Sequence, residues 1–243
     1  MKTRFVLLVL ATFLFCNAGS GFASNIMLFP SQDTSIYRQM PDENFGSNSA
    51  VWMGFLNVNI YRSDIGEMRM LTQFDLSSVP QGVTVTSATF SVALQSFNMP
   101  TGYTSVEASI YKLTQSWIAS QATWNNAAAN RTSWTTPGGS FSQRPVTSTL
   151  FTNNDTNKLI SWNITSLVQS WLDNPDTNYG MIMKADYSQT QSAGYFGTME
   201  AELVYRPFLN IQYETSQSQV PEPLSFLLVS ISGLIMYIRK RLS

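Results

Sequence analysis

Period-two alternation of apolar and polar side chains runs through the middle of this chain, and it constrains the fold more than any other feature. Ala88, Phe90, Val92 and Leu94 alternate with Thr89, Ser91, Ala93 and Gln95, and Met68, Met70, Thr72 and Phe74 alternate with Arg69, Leu71 and Gln73. Leu209, Ile211 and Tyr213 alternate with Phe208, Asn210 and Gln212, and Val106, Ala108 and Ile110 repeat the pattern more weakly. Successive strand residues point to opposite faces, so each run reads as a strand with one face toward a core. Turn signals separate the runs: Pro41-Asp42, Phe45-Gly46-Ser47, Val79-Pro80-Gln81-Gly82, Met99-Pro100-Thr101-Gly102, Pro137-Gly138-Gly139 and Asn174-Pro175-Asp176. The composition, rich in Ser, Thr, Asn, Gln and aromatic residues and thin in Lys and Glu, also favours strands. Together these features predict an all-β fold, an antiparallel β-sandwich of jelly-roll-like form.

One short helix is expected within it. Ile164, Leu167, Val168, Trp171 and Leu172 follow the spacing of a single helix face, with Thr165 or Asn163 placed to cap the start and Asn174-Pro175 to stop it. Two turns of helix do not stand alone in water, so the stripe should plug an end or a face of the sandwich. The stretch from Trp117 to Phe151 shows the least order and reads as a large loop.

Both ends of the chain read as addresses. Lys2 and Arg4 precede the apolar run Phe5 to Phe15, and Gly21-Phe22-Ala23 supplies small residues where a signal peptidase reads, so residues 1–23 are expected to be a secretory signal. The bulk of Phe15 argues against lipidation at Cys16. Near the other end, Leu224 to Ile238 forms a second apolar run closed by Arg239, Lys240 and Arg241. At about 1.5 Å per residue such a helix spans only ~22 Å, short of the ~30 Å hydrocarbon core, although snorkelling basic side chains and bilayer thinning narrow the gap. It reads as a C-terminal membrane helix, with the basic cluster in the cytoplasm. The expected organisation is a signal at 1–23, a sandwich at 24–213, a polar linker at 214–219 and a sorting tail at 220–243.

Histidine is absent and the sole cysteine, Cys16, sits in the signal. That removes serine–histidine and cysteine–histidine nucleophile machinery, and with it the commonest transition-metal ligand. The chain holds 14 basic and 15 acidic residues; setting aside the five basic residues of the two ends and Glu222 leaves 9 against 14 in the body. A mildly acidic body with dispersed cations does not suit nucleic acid.

Two resemblances emerge from these residues. Val220-Pro221-Glu222-Pro223, an apolar helix and then Arg239-Lys240-Arg241 resemble, in that order, the PEP-CTERM sorting signal. The resemblance implies signal peptidase and a membrane exosortase as processing partners, a transient hold in the inner membrane, and release or attachment at the surface of a Gram-negative, biofilm-forming bacterium. The body resembles the DNRLRE domain, which is also grouped among carbohydrate-binding modules. The matching pieces are Asp33-Thr34-Ser35-Ile36 with Asn44-Phe45-Gly46-Ser47; Arg69, Phe74 to Pro80 and Val85 to Ala88; Trp117 and Thr123 to Asn126; Trp162 to Trp171 with Asn178-Tyr179-Gly180; and Arg206-Pro207 leading to Tyr213. That resemblance implies a secreted β-sandwich, some relatives of which bind acidic polysaccharides such as alginate through basic side chains. This body departs from them in having few basic residues and no cluster of them.

Sugar recognition needs flat aromatic faces together with polar groups for hydroxyls. The body has six tryptophans, Trp52, Trp117, Trp124, Trp134, Trp162 and Trp171, and they divide by context. Trp171 lies on the helix stripe, and Trp162 and Trp124 lie in the structural signatures, so all three read as core. Trp134 lies in a Ser/Thr/Pro/Gly stretch, and Tyr187, Tyr103 and Tyr195 stand beside turn residues, which makes these four the candidate contacts, Trp134 and Tyr187 first. Arg69 and Arg62 offer two-pronged guanidinium groups for a carboxylate or sulfate, against the alternative of surface salt bridges with Glu67 or Asp64. Asp33, Asp42, Glu43 and Asn44 offer oxygen ligands to calcium, although no calcium-loop spacing is present and a solvated turn explains them equally. No other cofactor is expected, and Asp75 reads as capping its own turn. Glu200 and Glu202 share a strand face without forming the opposed pair a glycosidase needs, so nothing marks a catalytic centre. The function expected is non-enzymatic binding of exopolysaccharide outside the cell. The alternatives are a structural or adhesive role toward proteins or itself, and a polysaccharide-degrading enzyme with an unmarked site.

Overall fold

The strongest alternating run becomes the hub of the sheet. In the computed structural model, which describes residues 22–56, 66–98, 105–128, 132–185 and 192–215, strand β5 (Thr84–Asn98) pairs with three others. Four strands precede it: β1 (Phe22–Leu28), β2 (Gln32–Tyr37), β3 (Ala50–Leu56) and β4 (Gly66–Gln73). Then follow β6 (Val106–Lys112), β7 (Asn126–Ala128), β8 (Thr132–Ser133), β9 (Thr147–Phe151) and β10 (Lys158–Asn163). The helix α1 (Thr165–Asp173) comes next, and β11 (Met181–Ala185), β12 (Ala193–Gly197) and β13 (Phe208–Thr215) close the order. The expected signal (1–23), the apolar run at 224–238 and the motif residues Val220, Pro221, Glu222, Pro223, Arg239, Lys240 and Arg241 lie outside the described residues, apart from the start of β1. Among the described residues no helix is long and apolar enough to cross a membrane.

One curled sheet runs β1-β13-β5-β12-β3-β4-β11-β6-β9, with β10 on β5, β2 on β4, and β7 and β8 forming a separate ribbon. The first half of β5 lies between β13 and β10, as in Leu209↔Phe90 and Trp162↔Phe90, while its last residues pair with β12 instead, Tyr195 lying opposite Ser96. Register shifts between Tyr195 and Phe196 and between Gln212 and Tyr213 mark where the sheet bends, since a bulge sharpens local twist. The far end of the sheet returns to the hub: Thr149 Oγ1 on β9 donates to the Ser161 carbonyl on β10 at 2.7 Å. The antiparallel pleat is thus folded over a core, as an all-β sandwich requires.

That core takes its bulk from aromatic rings, with Phe55, Phe74, Phe90, Phe151, Trp162, Trp171 and Phe196 fully buried. Phe90 meets Phe74 edge-on at 6.0 Å and Trp162 at 5.7 Å, and the Trp162 indole N–H is satisfied by the Ala108 carbonyl at 2.8 Å. Helix α1 buries Leu167, Val168, Trp171 and Leu172 against this core, the stripe its spacing predicts. The cap differs from expectation. Ile164 is the N-cap without a side-chain bond, and Asn163 Oδ1 instead accepts the Thr165 N–H at 3.1 Å, one residue too early to cap the helix. The helix docks through Gln169, whose Oε1 accepts the Val85 N–H at 2.8 Å at the entry of β5.

Residues 113–128 and 132–141 form a second layer, most of it within the stretch from Trp117 to Phe151 that was expected to be a large loop. Trp117, Ala122, Trp124, Ala127 and Trp134 pack with Ile36, Leu71, Leu113 and Ile182 on the outer side of β2, β4 and β11. A polar sequence becomes an ordered layer here because its indole donors find carbonyls: Trp117 Nε1 bonds Tyr179 O and Trp134 Nε1 bonds Thr123 O, both at 2.9 Å. The Asn44-Phe45-Gly46 turn latches on, with Asn44 Nδ2 donating to Ala119 O and Ala122 O at 2.7 Å. A Cβ at Gly46 would stand 2.3 Å from the Ala119 carbonyl oxygen, so only glycine permits that approach.

Candidate functional site

Two patches on the outside of the sheet carry aromatic side chains. The first is covered. On β4, Arg69 binds Glu67 through two bonds, Nε to Oε1 and Nη2 to Oε2, each 2.8 Å, and its Nη1 donates to the Gly138 carbonyl at 2.5 Å. Its guanidinium lies 4.6 Å from the Trp124 ring centroid and 5.3 Å from that of Phe141. Gly138 has φ +90°, and a Cβ there would press 2.7 Å from both Arg69 and Trp124, so the glycine lets the segment close over the arginine. Lys184 Nζ stands 3.8 Å from the same Glu67 oxygen. The arginine expected to clamp a ligand is 8% exposed and engaged on every side within the fold. Its partner is the Glu67 that the sequence named as the alternative, in a pair that is buried instead of on the surface.

The second patch is open. Trp52 on β3 alternates with the core residues Val51 and Met53, and Tyr195 on β12 alternates with the core residue Phe196, so both rings point away from the core. The two are direct cross-strand partners, half-buried, with centroids 4.9 Å apart and planes inclined by 39°. Exposed Ser96 continues the row on β5, opposite Tyr195. Behind the rings Trp52 packs against Tyr37, Met68 and Ala193. Its main chain is held by β2, the Trp52 N–H donating to Tyr37 Oη at 3.0 Å and the Trp52 carbonyl accepting from Ser35 Oγ at 3.1 Å. Two strands and a side-chain clamp thus fix a partly open aromatic face, next to a hydroxyl, on rigid elements. Such a face offers what the C–H-rich side of a pyranose needs.

A cleft of about 440 Å³ opens between the end of β4 and α1, lined by Gln73, Asp75, Ser77, Gln81, Trp171 and Asn178 among others. Its amides serve the fold: Gln73 Nε2 donates to Asn178 O at 2.6 Å and Asn178 Nδ2 to Phe74 O at 3.0 Å. Asp75 Oδ1 accepts the Ser77 N–H at 2.9 Å, as its turn-capping role predicts, and that bond holds its carboxyl below the usual range.

The structure places the sequence candidates unevenly. Trp134, first among them, is 4% exposed in the second layer, so the expectation that its Ser/Thr/Pro/Gly surroundings keep it open is corrected. Tyr103, Tyr187 and Arg62 lie outside the described residues. Tyr195 lies on the open face, and its partner Trp52 was not singled out from sequence, because its exposure is decided by a strand distant along the chain. Glu200 and Glu202 stand in a turn and at the start of a 3₁₀ turn, where a shared strand face was expected. The four calcium candidates form no common site, and Asn44 is spent on Ala119, Ala122 and Gly46. Asp42 Oδ1 accepts from Asn125 Nδ2 at 2.8 Å, Glu43 is exposed in the same turn, and Asp33 is 1% exposed beneath a different segment. Among the described residues no group of three or more acidic, histidine or cysteine side chains forms a metal cluster. Asp33 Oδ2 accepts the Met199 N–H at 2.9 Å; burial first, and then the charge of Glu200, push its carboxyl up to about 7.

Comparison with curated proteins yields no match. The model of carbohydrate-binding module family 96 matches residues 24–213, a span that takes in β2 to β12, both aromatic patches and most of β1 and β13. Matched over most of its length, with its antiparallel sheet folded over one core, the chain belongs to carbohydrate-binding module family 96.

Proposed function

We propose that this protein is an exported, non-enzymatic module that binds polysaccharide through the Trp52–Tyr195 face. The observation that carries the proposal is the cross-strand aromatic pair, 4.9 Å between centroids, left half-open while the other tryptophans of the body are buried. Family membership supports carbohydrate as the ligand class and binding as the role. Tyr103 and Tyr187 are proposed as further contacts. The export signal at residues 1–23 and the Pro-Glu-Pro tail with its basic end support delivery beyond the inner membrane and processing by an exosortase, with exopolysaccharide of the surface or biofilm matrix as the partner. Screening the protein on a glycan array, then repeating it with Trp52→Ala, tests this reading. Truncating an aromatic anchor costs about 2 kcal/mol or more, so retention should weaken at least tenfold; unchanged retention places the contact elsewhere.

A second reading, adhesion to protein, is favoured by one observation. Leu203 and Val204, in the 3₁₀ turn that follows β12, are 67% and 70% exposed side by side. Adjoining exposed apolar side chains are a mark of protein contacts. Substituting both with serine would abolish such adhesion and leave sugar retention intact.

A further inference from the structure

The Asp33 carboxyl is buried with half of its bonding capacity unmet. Oδ2 takes the Met199 N–H, while Oδ1 is inaccessible to solvent and has no protein partner. Among the described residues no lysine or arginine forms an ion pair with it. The charged group acting on it is another carboxylate, Glu200, in the turn that its own bond to Met199 addresses. The arrangement is held from both sides. Strand β2 sets Asp33 opposite Thr72 on β4, and the turn is pinned by Thr198 N–H to Ser49 O at 3.2 Å and by Ala201 N–H to Thr198 O at 3.1 Å.

A buried carboxylate that faces a second negative charge requires a counter-charge or a proton. A proton on Oδ1 would neutralise Asp33 alone and leave the charge of Glu200 without a counter-charge. A cation meets both needs, neutralising two carboxylates and taking the open oxygen as a ligand. The donors here are oxygens, and the body has no histidine and no cysteine, which selects a hard ion over zinc or copper. Glu200 is exposed at the lip of the site and gives the ion its route in. We infer that Asp33 and Glu200 hold a divalent cation of the calcium class, which ties β2 to the Thr198–Ala201 turn. Main-chain oxygens and water supply the rest of the 6–8 ligands such an ion takes. The turn directly follows β12, so the ion would also steady the strand that carries Tyr195.

The test is thermal unfolding of the chelator-treated protein at pH 7.5 during titration with calcium chloride, with Asp33→Asn and Glu200→Gln in parallel. The expected result is a saturable rise in Tm of several degrees, at least tenfold weaker in calcium affinity for Glu200→Gln and lost in Asp33→Asn, whose amide oxygen still accepts the Met199 N–H. Should Asp33→Asn fail to fold, the exposed Glu200→Gln carries the comparison, and displacement of terbium luminescence by calcium gives a second readout. No rise at about 10 mM, ten times the weakest dissociation constants of extracellular calcium modules, or a rise of equal size in both variants, overturns the site. Stability that responds to pH but not to calcium assigns a proton to Asp33 and overturns it as well.

Discussion

The two outer patches of this sheet are built from the same materials and end in opposite states. Over β4 and β11 the chain folds back on itself: Trp117, Trp124 and Trp134 are buried, and the carboxylate there, Glu67, meets Arg69 through two bonds. Across β3 and β12 no such cover forms among the described residues; Trp52 and Tyr195 stay half-open, and the buried carboxylate nearby, Asp33, meets no base. The contrast teaches that an indole is structural or available according to what crosses it. On the covered side the indole nitrogens of Trp117 and Trp134 are bound to carbonyls, and Glu67 is bound to Arg69. On the open side the polar groups of Ser35 and Tyr37 hold the Trp52 main chain and leave the ring face unspoken for.

The largest effect should separate the two tryptophans most sharply. Trp134→Ala removes a buried ring and a satisfied indole, so unfolding free energy should drop by about 3–5 kcal/mol, while the folded fraction binds polysaccharide as before. A binding loss without a stability loss would break the comparison, because it would make Trp134 the contact.

The two carboxylates give the next effect. In chelator-treated protein the native carboxyl of Asp33 holds its proton up to about pH 7, whereas in the unfolded chain it titrates near its ordinary value of 3.8. Between these values the unfolded state binds fewer protons, so stability should fall as pH rises, by up to about 4 kcal/mol across the window, and level off above it. Denaturant titrations from pH 4 to pH 8 should show this decline, and Asp33→Asn should flatten it.

Smaller still is the stability cost of opening the exposed face. Trp52→Ala should lower unfolding free energy by ~1–2 kcal/mol, as for a half-buried ring with one aromatic neighbour, while weakening glycan retention tenfold or more. The smallest effect belongs to a remote control. Lys158→Ala breaks an exposed pair with Asp155 of 3.4 Å and should leave both the denaturation midpoint and binding unchanged within experimental error.

Much of the covered architecture was legible in the residues. The alternation of Ala88 to Gln95, Met68 to Phe74 and Leu209 to Tyr213 marks β5, β4 and β13, and the helix stripe is buried as its spacing demands. Strand β2 was harder to read because Asp33, Thr34, Ser35, Ile36 and Tyr37 are buried on both faces, which erases alternation. Ser35 is satisfied there by the main chains of β3 and β4, and one oxygen of Asp33 by the Met199 N–H. The stretch from Trp117 to Phe151 misled for a related reason: its polar composition suggests solvent, but Trp117 and Trp134 bind carbonyls inside the fold. Of the proposed face, Tyr195 was singled out for turn neighbours but lies in the middle of β12, while Trp52 was passed over because ring exposure depends on a cross-strand partner that local sequence does not reveal.

The account rests on the Trp52–Tyr195 face, and calorimetric titration of the double variant Trp52→Ala/Tyr195→Ala with the polysaccharide that the unaltered protein retains tests it most directly. The account predicts an unchanged far-ultraviolet circular dichroism spectrum and no measurable heat of binding. A variant that still titrates with the affinity of the unaltered protein would contradict it.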